Sequence, residues 1–236
     1  MKLSKKRNKF EKIKKYSTKR KLLTILGLAA AILALLVGFV IRNEFKEYQF
    51  KSNIAEAKVT ETPKHFDDSN DKVTNDLSMG EMVKLQKEAI EQGINKQSAG
   101  HIYFPAFDLS IPIYMGTNQL TLSLGATTYF YEDAQMGKGN YVLGGHNMEM
   151  PGVMFSDLSK LTKGDAVDLI DTEKTYRYRV NDIFIIPPKF STVQGRPEEG
   201  SFLSLPKEGE RPKLTLFTCI YTTRGKERLV VQGYLE

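Results

Sequence analysis

Residues 22–41, LLTILGLAAAILALLVGFVI, run for twenty positions without a charge. At about 1.5 Å rise per residue, a helix of that length covers roughly 30 Å, the depth of a hydrocarbon layer. Nothing polar marks a solvent face, which argues against a buried helix of a soluble domain. A cleaved secretory signal competes, because its basic leader looks similar, but its apolar stretch is usually shorter and ends at small residues. Here RNEFKEYQF follows directly, so an uncleaved anchor is expected. Residues 1–21 hold eleven Lys and Arg against one acid, Glu11. The positive-inside rule keeps that tail in the cytoplasm and sends everything after Arg42 outside the cell.

The tail also explains the charge balance. The formal net charge is +6, yet residues 22–236 carry 23 basic and 27 acidic side chains. The body is mildly acidic, and no nucleic-acid partner is expected. A chain of 236 residues with 41% hydrophobic content has enough apolar surface for one sizeable core.

Four segments follow: a basic tail (1–21), an anchor (22–41), a polar spacer (42–77) and a folded domain (78–236). HFDDSNDKVTND in the spacer shows neither helical nor strand period. Ser78 can cap a helix over residues 79–92, with Met79, Met82, Val83, Gln86 and Ile90 on one mainly apolar stripe and Gly93 at its end. After Gly100 come eight strand-like runs between turn residues: HIYFP, DLSIPIYM, TTYFY, NYVLGGH, DAVDLIDT, KTYRYRVNDIFII, KLTLFTCIY and ERLVVQGYL. Eight strands can close a small barrel. MFSDLSKL reads as one short helix, the only clear helical interruption of the barrel. Residues 187–212 connect two strong strands with 26 positions that include Phe190, Val193, Phe202, Leu203 and Leu205. Loops this long in compact domains are usually functional or disordered, and its apolar content favours a lid or a substrate groove.

Cys219 is the one cysteine of the chain. Outside the cell it cannot close an internal disulfide, so it is either buried and inert or present to react. Strand alternation puts Leu214, Leu216, Thr218 and Ile220 on one face and Thr215, Phe217, Cys219 and Tyr221 on the other. Of the three histidines, His65 lies in the spacer and His101 opens a strand where a surface role is the default. His146 ends an apolar strand after two glycines that let the backbone turn tightly, as at a barrel rim. Arg228 opens the last strand and can face Cys219 across neighbouring strands, either as a donor to a developing oxyanion or in a surface salt bridge.

Taken together, these residues resemble one family, the sortases, and class A in particular. TLFTC, ending at Cys219, matches the family's TLxTC motif; His146 in GGHN and Arg228 complete its catalytic set. The resemblance covers residues 78–236 plus the anchor. No second hydrophobic segment follows the domain, which fits class A rather than the pilus-building class. The resemblance implies a mostly β fold: an eight-stranded sortase-type β-barrel with short helices behind a single N-terminal transmembrane helix. It implies a cysteine transpeptidase of Gram-positive bacteria that cuts LPxTG-type sorting signals between Thr and Gly. Cys219 is then the nucleophile, His146 the acid and base, and Arg228 the oxyanion donor, with Thr218 and Val193 contributing to substrate binding. The implied partners are LPxTG-bearing surface proteins and the amine of a lipid-linked peptidoglycan precursor, met at the outer face of the cell membrane.

Some relatives hold calcium with several acids ahead of the histidine strand. YFYEDAQMGKGNY offers only Glu132 and Asp133 there, followed by Lys138. No cofactor and no metal ligand is therefore expected, although Glu198 and Glu199 keep the calcium question open. The protonation state of Cys219 and His146 is left unassigned. Two rival readings stand: a sortase of another class, and a non-enzymatic anchored β-barrel binding module in which Cys219 merely packs.

Overall fold

The computed structural model describes residues 2–67, 77–190, 192–193 and 196–236, with side chains from residue 21 onward except those of residues 193 and 196. Two compact units emerge, residues 1–47 and residues 48–236. Helix α1 (Lys2–Ala55) forms the first unit and reaches into the second. Its portion Lys21–Ala55 is long and apolar enough to cross a membrane. The helix therefore continues through residues 43–55, which the sequence suggested were spacer.

The end of α1 belongs to the folded domain for a physical reason. Phe50 is fully buried in the main core. Buried Gln86 donates to the carbonyls of Phe50 (3.4 Å) and Ser123 (3.0 Å) and accepts from Asn53 Nδ2 (3.0 Å). Residues 58–66 then run along the domain through bridges from Val59 to Ser98 and from His65 to Met115. The rest of the expected spacer, residues 68–76, lies outside the described residues.

Helix α2 (Met79–Glu91) begins as the sequence predicts. Ser78 and Glu81 form a reciprocal capping box, which satisfies two otherwise orphaned N–H groups. Gly93, at φ 74, carries the chain out of the helix. A second short helix, α3 (Gln119–Leu124), was not foreseen; Asn118 and Thr121 cap it in the same manner. MFSDLSKL yields only a single 3₁₀ turn, Leu158–Lys160.

All eight predicted strands form: β1 (Gly100–Phe104), β2 (Leu109–Tyr114), β3 (Ala126–Thr128), β4 (Asn140–Gly144), β5 (Ala166–Ile170), β6 (Thr175–Ile186), β9 (Lys213–Thr222) and β10 (Gly225–Leu235). Two-residue strands β7 (Thr192–Val193) and β8 (Arg196–Pro197) pair with each other inside the long connection. The eight close into a barrel in the order β1-β2-β3-β4-β9-β10-β6-β5. Pairings β2–β3 and β4–β9 are parallel and the rest antiparallel.

Alternation along the strands divides inside from outside. Leu143, Val180, Leu214, Leu216 and Val231 join the main interior core. Val142, Phe217 and Val230 form a second cluster on the opposite face, capped by Leu203 of the long connection and flanked by Phe184, Phe190 and Phe202. That connection is pinned to the wall through its carbonyls. Gln232 Nε2 and Lys213 Nζ donate to Phe202 O (2.7 and 2.8 Å), while Asn140 Nδ2 and the Tyr131 hydroxyl donate to Leu203 O (2.8 and 2.9 Å). Thr215 joins these anchors by donating to Asn140 Oδ1 (2.8 Å) and accepting from Gln232 Nε2 (2.7 Å).

Candidate active site on the outer face of the barrel

β9 and β10 form a tight hairpin in which Arg228 stands directly opposite Cys219. Both side chains share the outer face with Phe217. Arg228 Nη1 lies 3.5 Å from Cys219 Sγ. The other edge of the guanidinium donates through Nε to Pro188 O at 2.7 Å. Its plane sits near two rings, with Cζ 4.9 Å from the Phe190 centroid and 5.4 Å from that of Phe217. Cys219 is half-buried, so its sulfur is neither sealed into the leucine core nor fully in solvent.

His146 approaches from the other neighbour of β9. In the parallel β4–β9 pair, Gly144 faces Phe217, and residues 145–147 continue beside residues 217–219. Gly145 N donates to Phe217 O (3.2 Å), the Thr218 hydroxyl to Gly145 O (2.8 Å) and Asn147 Nδ2 to Cys219 O (3.1 Å). His146 is only 7% exposed. Burial, with a further push from the Lys226 ammonium, brings its imidazole down to about 4, so it is neutral at pH 7.

The two glycines before His146 serve a purpose other than the tight turn expected of them, since neither takes a positive φ. They admit aromatic rings. A Cβ on Gly144 would come within 2.5 Å of Tyr129 and 2.6 Å of Phe217, and one on Gly145 within 2.9 Å of Phe155. Tyr129 packs edge-on to Phe217 at 4.7 Å, with its hydroxyl hydrogen-bonded to Thr117 and Thr127. Beside it Phe130, at φ 70, meets Phe190 at 5.4 Å. A left-handed aromatic residue is a costly conformation held by its surroundings.

Thr218, expected from the resemblance to contribute to substrate binding, packs inside the wall. It is 1% exposed, lies on the leucine side of β9, and commits its hydroxyl to Gly145 O. That bond ties β9 to the segment that follows β4. Val193 stands in β7 opposite Arg196; its side chain lies outside those described. Of the other histidines, His101 is half-buried in β1 and His65 bridges to Met115. Asn147, Tyr129 and Lys226 are the neighbours of the site that strand alternation did not single out. Only the position of Asn147 next to His146 pointed to it.

The fold and site thus define a closed barrel with a thiol and a guanidinium paired on its outer wall, beside a buried imidazole. Comparison with known proteins agrees with that description. A sequence model of the sortase domain matches residues 102–236, more than half the chain, and the chain belongs to the sortase family. Sortase A of Bacillus anthracis is 36% identical over 141 residues, 59% of this chain and 60% of that protein. Sortase A of Listeria monocytogenes is 34% identical over 137 residues, 58% of this chain and 56% of that protein. These relatives support the class A resemblance, and the matches span less than two thirds of their length. The solved Listeria monocytogenes sortase A superposes with a TM-score of 0.50 at 34% identity, covering 60% of this chain and 88% of that one. Sortase C-1 from Actinomyces oris gives 0.50 at 26% identity, covering 82% of this chain and 98% of that one.

Proposed function

We propose that this protein is a membrane-anchored cysteine transpeptidase acting on LPxTG-type sorting signals. The observation that carries the reading is the Arg228 guanidinium 3.5 Å from the lone thiol of Cys219, with a neutral imidazole on the adjoining segment. Cys219 loses its thiol proton to His146 as sulfur bonds to the carbonyl carbon of the signal's threonine. The carbonyl oxygen takes up the negative charge, and Arg228 donates to it. When the tetrahedral species collapses, the C–N bond to glycine breaks and the proton held by His146 passes to the departing amine. A thioester remains. An amine of the peptidoglycan cross-bridge then attacks it, gives its proton to His146, and displaces sulfur, which recovers that proton.

The anchor of α1 would hold the domain at the outer leaflet, where the surface-protein substrate and the lipid-linked acceptor both reside. Confinement to a common surface raises effective concentration without any new contact. The basic tail supports a cytoplasmic N-terminus. Val193 would contribute to the apolar wall for the Leu-Pro part of the signal, through the connection that covers the outer face.

Activity would not need calcium. Glu132 and Asp133 stand exposed, and among the described residues no three acidic, histidine or cysteine side chains gather as a metal site. A hard cation wants several oxygen ligands at once. The test uses the full chain in detergent micelles with a fluorogenic LPxTG peptide, with and without an amine acceptor, comparing wild type with Cys219→Ala. Acceptor-dependent turnover that disappears in the variant is expected. Turnover by Cys219→Ala would refute the proposal, and loss of activity in EDTA with rescue by Ca²⁺ would refute its metal independence. Varying the first residue of the motif and offering a lysine-bearing pilin acceptor separates this reading from sortases of other classes.

A further inference from the structure

The proposed chemistry needs His146 held against Cys219 where the sheet has already ended. β4 stops at Gly144, and the next main-chain rung runs from Gly145 N to Phe217 O. In a regular parallel ladder the following carbonyls, those of Gly145 and Cys219, are met by main-chain N–H groups of the facing strand. Here side chains reach them. The Thr218 hydroxyl donates to the first at 2.8 Å and Asn147 Nδ2 to the second at 3.1 Å.

Asn147 is fixed from its own end as well, because its Oδ1 accepts from Glu149 N at 2.9 Å. The loop bends sharply there, with Glu149 at φ 54. Phe155 N donates to His146 O (3.0 Å) and Met148 N to Ser156 Oγ (2.9 Å). Those two bonds tie the loop to the turn that follows it. The Asn147 amide ties it to the strand that bears the thiol.

We propose that Asn147 is a positioning residue, whose side-chain amide stands in for the next sheet rung and fixes the approach of His146 to Cys219. The inference rests on the reading of Cys219 and His146 as a reacting pair. Without the amide donor the Cys219 carbonyl loses this partner and residues 146–149 move away from β9. Arg228 stays, since the β9–β10 pairing sets its place.

The experiment uses the full chain in micelles with Asn147→Asp, which keeps the shape but cannot donate, together with Asn147→Ala and Asn147→Gln. Asp and Ala should lower kcat by about 10–100-fold, the scale of an ångström-sized misplacement, with KM within about twofold. The acid limb of kcat/KM should move up toward the ordinary histidine range, and Gln, which retains the amide, should recover part of the loss. A second readout needs no turnover: NMR titration of the His146 ring, assigned by comparison with His146→Gln, should rise in Asp and Ala. If wild type shows no turnover, the proposed function fails while that titration still decides the role of Asn147. A kcat within twofold of wild type and an unmoved titration, whatever the change in Tm, would overturn the inference.

Discussion

Cys219 has a neighbour on each side, and the two hold their side chains by different means. Toward β10, ten residue pairs run from Gly225 to Tyr234, and Arg228 sits inside that ladder opposite the cysteine. Toward β4 only five pairs form, from Asn140 to Gly144, and His146 lies beyond the last of them. Backbone pairing sets residue 228 opposite the cysteine, and the Pro188 carbonyl with the rings of Phe190 and Phe217 then holds its guanidinium. The imidazole is held by one further rung from Gly145 N to Phe217 O, by main-chain bonds to the turn at Met154 and Phe155, by side-chain bonds from Thr218 and Asn147, and by aromatic packing around two glycines. Chemistry on one side of the thiol is therefore robustly placed, and on the other side adjustable.

Substituting the two partners gives the largest expected contrast. His146→Ala should reduce peptide turnover to the Cys219→Ala background. Arg228→Ala should lose about 10²–10³ in kcat, the usual scale for one oxyanion donor, measured by single-turnover acylation. Equal losses would erase the distinction between a proton carrier and a charge stabiliser.

Acid sensitivity tests the β4 side next. The folded imidazole is held near 4, below its ordinary 6.5. Its contribution to stability is present above pH 6.5, where both states are neutral, and is lost as pH falls toward 4 while only the unfolded chain takes up a proton. The full effect is on the order of 3 kcal/mol. Tm measured against pH should fall less steeply for His146→Gln than for wild type over that window; parallel curves would contradict the burial argument. Gly144→Ala gives the smallest effect. The added methyl must displace both Tyr129 and Phe217, at about 1–3 kcal/mol, and should lower kcat by a larger factor than it lowers the rate at which iodoacetamide alkylates the thiol. An unchanged Tm would mean that the rings yield freely.

The strands were legible because short runs of strand-forming residues stand between turn residues; the two-residue period itself shows in β1 and in the first half of β6, whereas β3 and β4 are buried at every position. α3 was not, since six residues give fewer than two turns of period and its Asn118–Thr121 cap resembles any polar turn. The continuation of α1 was hidden for a different reason. Phe50 and Asn53 look like spacer until Gln86, far along the chain, is seen to grip them. In the site, the hairpin made Arg228 and Cys219 readable as partners. Alternation also put Thr218 on the leucine face, where the structure places it. Tyr129 could not be found in the same way, because its nearness to the thiol arises only where β3, β4 and β9 lie side by side.

The grip on Arg228 has a consequence for how a peptide would be received. A long arginine normally samples many torsional states, and halting that motion at the moment of encounter would weaken association. Between Phe190 and Phe217, with Nε bound to the Pro188 carbonyl, most of that freedom is already gone when the chain has folded. Under the proposed function, an arriving carbonyl would meet a donor already waiting in place, and the entropic cost of aiming it would belong to folding rather than to catalysis.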